Sequence, residues 1–224
     1  MPSSVPSIEP LGDSALVIDL GTAADEATSR RVRGATLRLT AATLPGVVEI
    51  VPTLTSVAII LDPARRDADR LHAAIEAAIA DLDADMSPPP RVVESPVCYG
   101  GDEGPDLAVV ASNAGLTAAE VVRLHTSAGH VVGMIGFVPG FPYLLGLPAS
   151  LALPRRATPR TSVPAGSVAI AERQTGIYPR SGPGGWHIIG RTELAMFDHR
   201  RDPPTLLEPG DIVRFVPVES SRGA

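Results

Sequence analysis

No lysine occurs anywhere in this 224-residue chain; all nineteen basic residues are arginine. That absence excludes a GxxxxGK phosphate-binding loop, a Schiff-base lysine and a biotinyl or lipoyl attachment site. Cysteine is nearly absent too. Cys98 alone can form no internal disulfide and no CxxC motif, and without a histidine base nearby in sequence it reads as a small core residue rather than a nucleophile. The five histidines (His72, His125, His130, His187, His199) never fall into an HxH or HExxH pattern, so no metal site is expected from motifs. Ser167 follows Gly166 without a GxSxG elbow, which leaves serine-hydrolase chemistry unsupported. There is no apolar run of about 18 residues, and Met1-Pro2-Ser3-Ser4 lacks the charged and apolar regions of a secretory signal. A cytoplasmic protein with no membrane partner is therefore expected. Cations are fewer than anions: a net charge of -6 argues against nucleic acid as a partner.

The chain does have enough apolar residues, 44%, and enough length for one large or two small cores. The run from residue 8 to residue 20 reads as a strand ending in Ala15-Leu16-Val17-Ile18. Residues 24–43 carry helical spacing at Val32, Ala35, Leu39 and Ala42. Val47–Pro52 and Ser56–Leu61 read as a hairpin, and Leu71, Ile75, Ile79 and Leu82 form one stripe of a helix over 67–82. The pattern predicts a small α+β domain, β-α-β-β-α, over residues 1–87. Ser87-Pro88-Pro89-Pro90 interrupts every regular period, so 88–91 is read as a linker. Beyond it, over 92–224, come a strand (Val92–Tyr99), a short helix ended by Gly115, and a helix opened by Thr117-Ala118-Ala119-Glu120 with capping-box spacing. Short β-rich runs (131–138, 167–171, 186–190 and 212–218) then alternate with Gly/Pro turns, as in a barrel or sandwich.

Within that second region the charge is inverted. Residues 155–191 hold six arginines (Arg155, Arg156, Arg160, Arg173, Arg180, Arg191) against one acid, Glu172. Guanidinium forks match carboxylate or phosphate oxygens, and glycine-rich turns let backbone N–H groups approach the same oxygens. Six cations with a single counter-charge therefore point to an anion site, the alternative being solvated arginines on separate turns. The loop Gly136-Phe137-Val138-Pro139-Gly140-Phe141-Pro142-Tyr143-Leu144 carries aromatics that either wall a pocket or plug the end of a barrel. In the run 186–191, period-two alternation sets His187, Ile189 and Arg191 on one face and Trp186, Ile188 and Gly190 on the other. His187 is a candidate for direct function because it shares its face with a cation. Arg160 and Tyr178 lie in Gly/Pro-punctuated turns, where side chains are expected to contribute little to a core.

These motifs occur together as a set, and their order matters. Leu11-Gly12-Asp13-Ser14-Ala15-Leu16, Tyr99-Gly100-Gly101 with Gly104-Pro105-Asp106-Leu107, the 136–144 loop, and Pro154-Arg155-Arg156 with Pro159-Arg160 come first. Val163-Pro164-Ala165-Gly166-Ser167-Val168, Gln174-Thr175-Gly176-Ile177-Tyr178-Pro179 and Pro183-Gly184-Gly185-Trp186 follow. Across essentially its full length the chain resembles the family of 5-oxoprolinase B subunits, also described as allophanate hydrolase subunit 1 or the Kip inhibitor of a sporulation histidine kinase. The resemblance implies an α+β N-terminal domain followed by a mainly β, cyclophilin-like barrel. It implies a component that, with the A and C subunits of 5-oxoprolinase, cleaves 5-oxo-L-proline to L-glutamate using ATP with Mg2+, inactive and cofactor-free when alone. It also implies two alternatives: a regulatory protein that docks on a sensor histidine kinase, or a component acting on another amide or urea-like substrate. On this reading Arg160 and His187 are the candidate catalytic residues. Arg155, Gln174, Tyr178, Trp186, Arg191, Phe141 and Tyr143 are the candidate substrate- or anion-binding residues, and no metal ligand is expected. Three departures stand out: Leu145 where glycine is usual, Glu172-Arg173 for a small or glycine pair, and Gly182 for the serine usual before Pro-Gly-Gly-Trp.

Overall fold

A computed structural model describes residues 6–62, 64, 68–80, 82 and 89–219. The chain divides into two compact units, Met1–Pro89 and Pro90–Ala224. Pro88 of the proposed linker lies outside the described residues, as do Ser87 at the end of the expected first domain, Asp67, the expected start of the second helix, and the opening Met1-Pro2-Ser3-Ser4.

The first unit is a four-stranded antiparallel sheet with two helices. β1 (Ser7–Pro10) and β2 (Ala15–Asp19) form a hairpin, α1 spans Glu26–Ala41, β3 (Val47–Pro52) and β4 (Ser56–Leu61) form a second hairpin, and α2 spans Ala68–Ile79. The sheet order is β1-β2-β4-β3. One expectation is corrected here. The unit is β-β-α-β-β-α, because the run read as a single strand over 8–20 turns back at Gly12, whose φ of +66 suits the left-handed turn. Asp25 caps α1 by accepting from Thr28 N at 2.8 Å. Val32, Ala35 and Leu39, three of the four positions expected to face the sheet, bury against Ile18, Val57 and Ile59.

The second unit is a closed barrel of seven strands in the order β10-β7-β6-β13-β5-β12-β9. Those strands are β5 (Val92–Tyr99), β6 (His130–Ile135), β7 (Pro142–Leu145), β9 (Ser167–Ala171), β10 (Gln174–Ile177), β12 (His187–Arg191) and β13 (Ile212–Pro217). A separate two-stranded ribbon pairs β8 (Arg160–Val163) with β11 (Gly182–Gly184). Helices α3 (Leu107–Ala114) and α4 (Ala118–Thr126) connect β5 to β6, and the Thr117–Glu120 capping box forms as the sequence spacing requires. The expected loop after Gly136 is in part β7, because Tyr143 and Leu144 pair with Gly176 and Thr175. No single helix among the described residues is long and apolar enough to cross a membrane.

Strand alternation sorts the second unit's apolar residues into two cores. Val168, Ile170, Ile177, Ile189, Val213 and Phe215 point into the barrel. Their neighbours Ala169, Ala171, Tyr178 and Ile188 point out and meet Phe141, Val163 and Trp186 in a second core. Helix α4 reaches the inner core through His125, which is fully buried. Its ring stacks on Phe215 at 4.5 Å and bonds Tyr99 on β5 and Thr175 on β10, strands that are not neighbours in the barrel. Thr175 Oγ1 donates to Ala169 O (3.1 Å), so His125 Nε2–H donates to Thr175 and Nδ1 accepts from the Tyr99 hydroxyl. Burial, and secondarily the nearby His130, holds the His125 imidazole well below its ordinary titration range. His130 is likewise lowered by burial. Both rings are neutral when folded, whereas the unfolded chain takes up protons below about pH 6.5. Stability is therefore fully present above that value and falls as pH drops below it. The slope is about 1.4 kcal/mol per pH unit for each ring until its folded value is reached. Urea melts between pH 8 and pH 5 test this: a constant unfolding free energy across the range would show that the two rings are not buried in neutral form.

Candidate functional site

The outer core is an aromatic wall. Phe141 stands edge-on to Tyr143, Tyr178 and Trp186 at centroid separations of 5.0, 5.2 and 5.5 Å, and Tyr143 meets Trp186 at 5.8 Å. Such T-shaped contacts place ring edges on ring faces and stabilise the cluster beyond its area burial. Gly176 makes it possible, because a Cβ there would come within 2.9–3.1 Å of Pro142 O and the Phe141 and Trp186 rings. Gly184 does the same for the Tyr178 hydroxyl, onto which any side chain at 184 would be driven. The wall therefore lies on the outer face of the barrel, neither plugging its end nor sitting in its lumen.

Phe137 extends the wall outward. Its ring is 5.7 Å from Phe141, 64% exposed, and carried on a backbone at φ 65, an uncommon conformation for a bulky side chain. Tyr143 is half-buried, and Tyr178 is only 3% exposed. Burial raises both phenols above their ordinary range. The charge of Arg155 opposes that rise at both, and a hydrogen bond from the Trp186 backbone and the charge of Arg160 oppose it at Tyr178. Both hydroxyls stay protonated and can donate.

The arginines separate into three groups. Arg160 makes a two-pronged contact with Asp106, Nη1 to Oδ2 at 2.7 Å and Nη2 to Oδ1 at 2.9 Å, and Arg156 Nη1 adds a third bond at 2.8 Å. Burial alone would push the Asp106 carboxyl up. The Arg160 bonds, the Ile188 N–H at 2.8 Å and the charges of Arg160 and Arg156 outweigh it and hold the group below the usual carboxylate range. Arg160 is raised in turn, chiefly by its bond to Asp106. Arg191 is spent elsewhere, with Nε on Ala165 O (3.0 Å) and Nη1 on Glu103 (3.3 Å), at the edge of a cleft of about 650 Å3 lined also by Cys98, Pro179 and Thr192. None of the wall residues lines that cleft. Arg155, by contrast, is exposed and makes no hydrogen bond or ion pair among the described residues, although its charge reaches both phenols. Arg173 and Arg180 are exposed in turns.

The strap that carries Arg155 is held on three sides. His187 Nε2 donates to Pro154 O at 3.0 Å, Arg156 N donates to Gly185 O at 2.8 Å, and Leu153 bridges Glu172. The alternation expected for His187 and Arg191 is broken by a register shift between Ile188 and Gly190, and the two side chains find unrelated partners. Gln174 is half-buried on the face of β10 shared by Gly176, and Tyr178 follows just past the end of that strand. Glu172 adopts φ 54 in the β9–β10 turn, the left-handed region that explains why a glycine or small residue is usual there.

Two expectations are corrected by this geometry. The counter-charge for the arginine segment comes largely from the protein's own Asp106 and Glu103, both outside the segment. Tyr178 is not a peripheral turn residue but part of a core. Asp106 is the site residue that sequence reading missed. The available signal was an acid directly before the apolar run Leu107–Val110, in a protein whose arginine segment holds one acid against six cations. No group of three or more His, Cys, Asp or Glu among the described residues is placed to hold a metal ion.

The fold is thus a mixed α/β chain with a closed seven-stranded barrel. The chain belongs to the carboxyltransferase domain family, subdomains C and D, whose family model matches residues 6–207. It is 42% identical to the 5-oxoprolinase B subunit of Bacillus subtilis (strain 168) over 94% of this chain and 92% of that protein. It is 46% identical to the 5-oxoprolinase B subunit of Escherichia coli O157:H7 over 92% of this chain and 94% of that one. Among solved structures, that of TTHA0988 superposes with a TM-score of 0.80 at 37% identity over 94% of this chain. This chain spans 41% of that longer one.

Proposed function

We propose that this chain is the B subunit of an ATP-dependent 5-oxoprolinase, acting with the A and C subunits to convert 5-oxo-L-proline to L-glutamate. One observation carries the assignment: two relatives matched over more than nine-tenths of the chain, at 42% and 46% identity, bear that name. On this reading residues 92–224 form the cyclophilin-like barrel domain, residues 1–87 the α+β domain, and 88–91 the linker. ATP with Mg2+ supplies the phosphoryl group in the assembled complex, and the protein works in the cytoplasm.

The outer face of the barrel is the substrate face. 5-Oxoproline is a small ring bearing one carboxylate and one lactam. Arg155, unpaired among the described residues and exposed, receives the carboxylate, the protonated Tyr143 hydroxyl donates a second hydrogen bond, and the ring lies against the projecting Phe137, while Phe141 and Trp186, both buried, back the wall rather than touch substrate. Arg160 serves through its contact with Asp106 and its charge at Tyr178, and His187 holds the strap at Pro154. Arg191 lies at the separate cleft and is left out of the substrate face.

The test is reconstitution. The purified chain is expected to show no 5-oxoproline-dependent ATP hydrolysis alone, and addition of the A and C subunits is expected to create it. Lactam-dependent ATP turnover by the single chain, or none in the complete mixture, would overturn the assignment.

A further inference from the structure

We propose that Asp106 is a positioning residue for the Arg155 substrate face, an inference that rests on the reading of that face given above. Asp106 is 3% exposed, and its two oxygens accept four hydrogen bonds: from Arg156 Nη1, from both Arg160 Nη1 and Nη2, and from Ile188 N. It is itself fixed from both directions, since its own N–H donates to Ile188 O at 2.9 Å and its carbonyl accepts from Val110 N in the first turn of α3. Two arginines four residues apart thus converge on one immobile carboxylate. The segment between them is closed into a loop whose first residue, Arg156, is also tied through its backbone to Gly185 O. Arg155 precedes that anchor by a single residue. Its approach to the wall is therefore set by a group with no free acceptor left to meet substrate. Recognition of a ligand by one pre-placed cation tolerates little drift, since a displacement of about 1 Å costs on the order of 100-fold.

The inference is tested in the complete three-subunit mixture, well below the melting temperature of each variant. Asp106→Asn keeps an acceptor for Ile188 N and removes the charge that orients both guanidiniums. It is expected to raise KM for 5-oxoproline about 10- to 100-fold while leaving KM for ATP within about twofold. Arg160→Lys keeps the charge but cannot make the two-pronged contact, so it is expected to move KM in the same direction and covers the case in which Asp106→Asn does not fold. Arg155→Ala is the control. If Arg155→Ala leaves KM for 5-oxoproline unchanged, the substrate face itself is misassigned. If Arg155→Ala raises it but Asp106→Asn and Arg160→Lys do not, Asp106 has no positioning role. An equal rise in KM for both substrates, or a lower melting temperature with unchanged KM values, would mark Asp106 as purely structural and overturn the proposal.

Discussion

Arg160→Ala is expected to lower the melting temperature of the protein by about 8–15 °C. The substitution removes two of the four hydrogen bonds to a carboxylate that is only 4% exposed and leaves it with Arg156, which makes one bond. Stripping one partner from a buried ion pair costs about 3–5 kcal/mol, because the remaining charge stays desolvated, and each kcal/mol moves the midpoint of a chain this size by about 2–4 °C. Position in a Gly/Pro-punctuated turn points the other way, to a harmless truncation. pH separates this mechanism from simple loss of packing. In the wild type the Asp106 carboxyl is held below its ordinary range, so its contribution is present above the unfolded value near 3.9 and is lost as pH falls through the folded one. Removing Arg160 takes away hydrogen bonds and a charge that both lower the carboxyl, while burial, Ile188 N and Arg156 remain, so the folded value rises relative to wild type. The deficit relative to wild type should therefore narrow as pH is lowered through the acid range in which the carboxyl takes up its proton. A deficit that stays constant through that range, or a drop of less than about 2 °C at pH 7, would show that Asp106 does not depend on Arg160 as described.

How much of this was legible in the sequence differs between fold and site. Strands β3, β4, β5 and β9 fall where the β-rich runs placed them, and the Thr117–Glu120 box caps α4, because these signals act over a few residues and need no tertiary partner. The β1–β2 hairpin was less visible, since its turn depends on Gly12 taking a left-handed φ between two short strands of mixed polarity. β7 was hidden by Pro142, which suits a strand start but also reads as a loop. The wall residues were each named from their motifs, yet their grouping was not predictable. It depends on a closed barrel bringing β7, β10 and β12 round to one outer face and on two glycines leaving room for rings. The arginines illustrate the same limit. Charge counting along residues 155–191 registered the excess, but Asp106 and Glu103 are supplied from some fifty and ninety residues upstream of their partners, a separation that local counting does not span. What remained after those pairings was Arg155, Arg173 and Arg180, and of these three it is the charge of Arg155 that reaches the phenols of the wall, a smaller and more specific feature than the cluster itself.

Arg155→Ala is expected to lower kcat/KM for 5-oxoproline in the reconstituted complex about 30- to 150-fold with little change in stability. The side chain is exposed and makes no hydrogen bond or ion pair among the described residues, so truncation leaves no buried partner behind and the folded state should shift by no more than about 0.5 kcal/mol. A charge-assisted bond to a substrate carboxylate is worth about 2–3 kcal/mol, which corresponds to that range in rate. Arg155→Lys keeps the charge but not the planar fork and should fall between the two, near a tenfold loss. Because the guanidinium is solvent-exposed, the wild-type KM should also rise between about 50 and 500 mM salt, while that of Arg155→Ala should respond much less. Tyr143→Phe removes the second donor beside it and is expected to cost about 1–2 kcal/mol, roughly 5- to 30-fold, with the edge-on ring contacts to Phe141 and Trp186 retained. Steady-state kinetics and thermal melts on the same preparations decide the matter. Wild-type kcat/KM in both Arg155→Ala and Tyr143→Phe would remove the outer face of the barrel from substrate recognition. A loss of activity that tracks a fall in melting temperature would make the two residues supports of the fold rather than its contact with substrate.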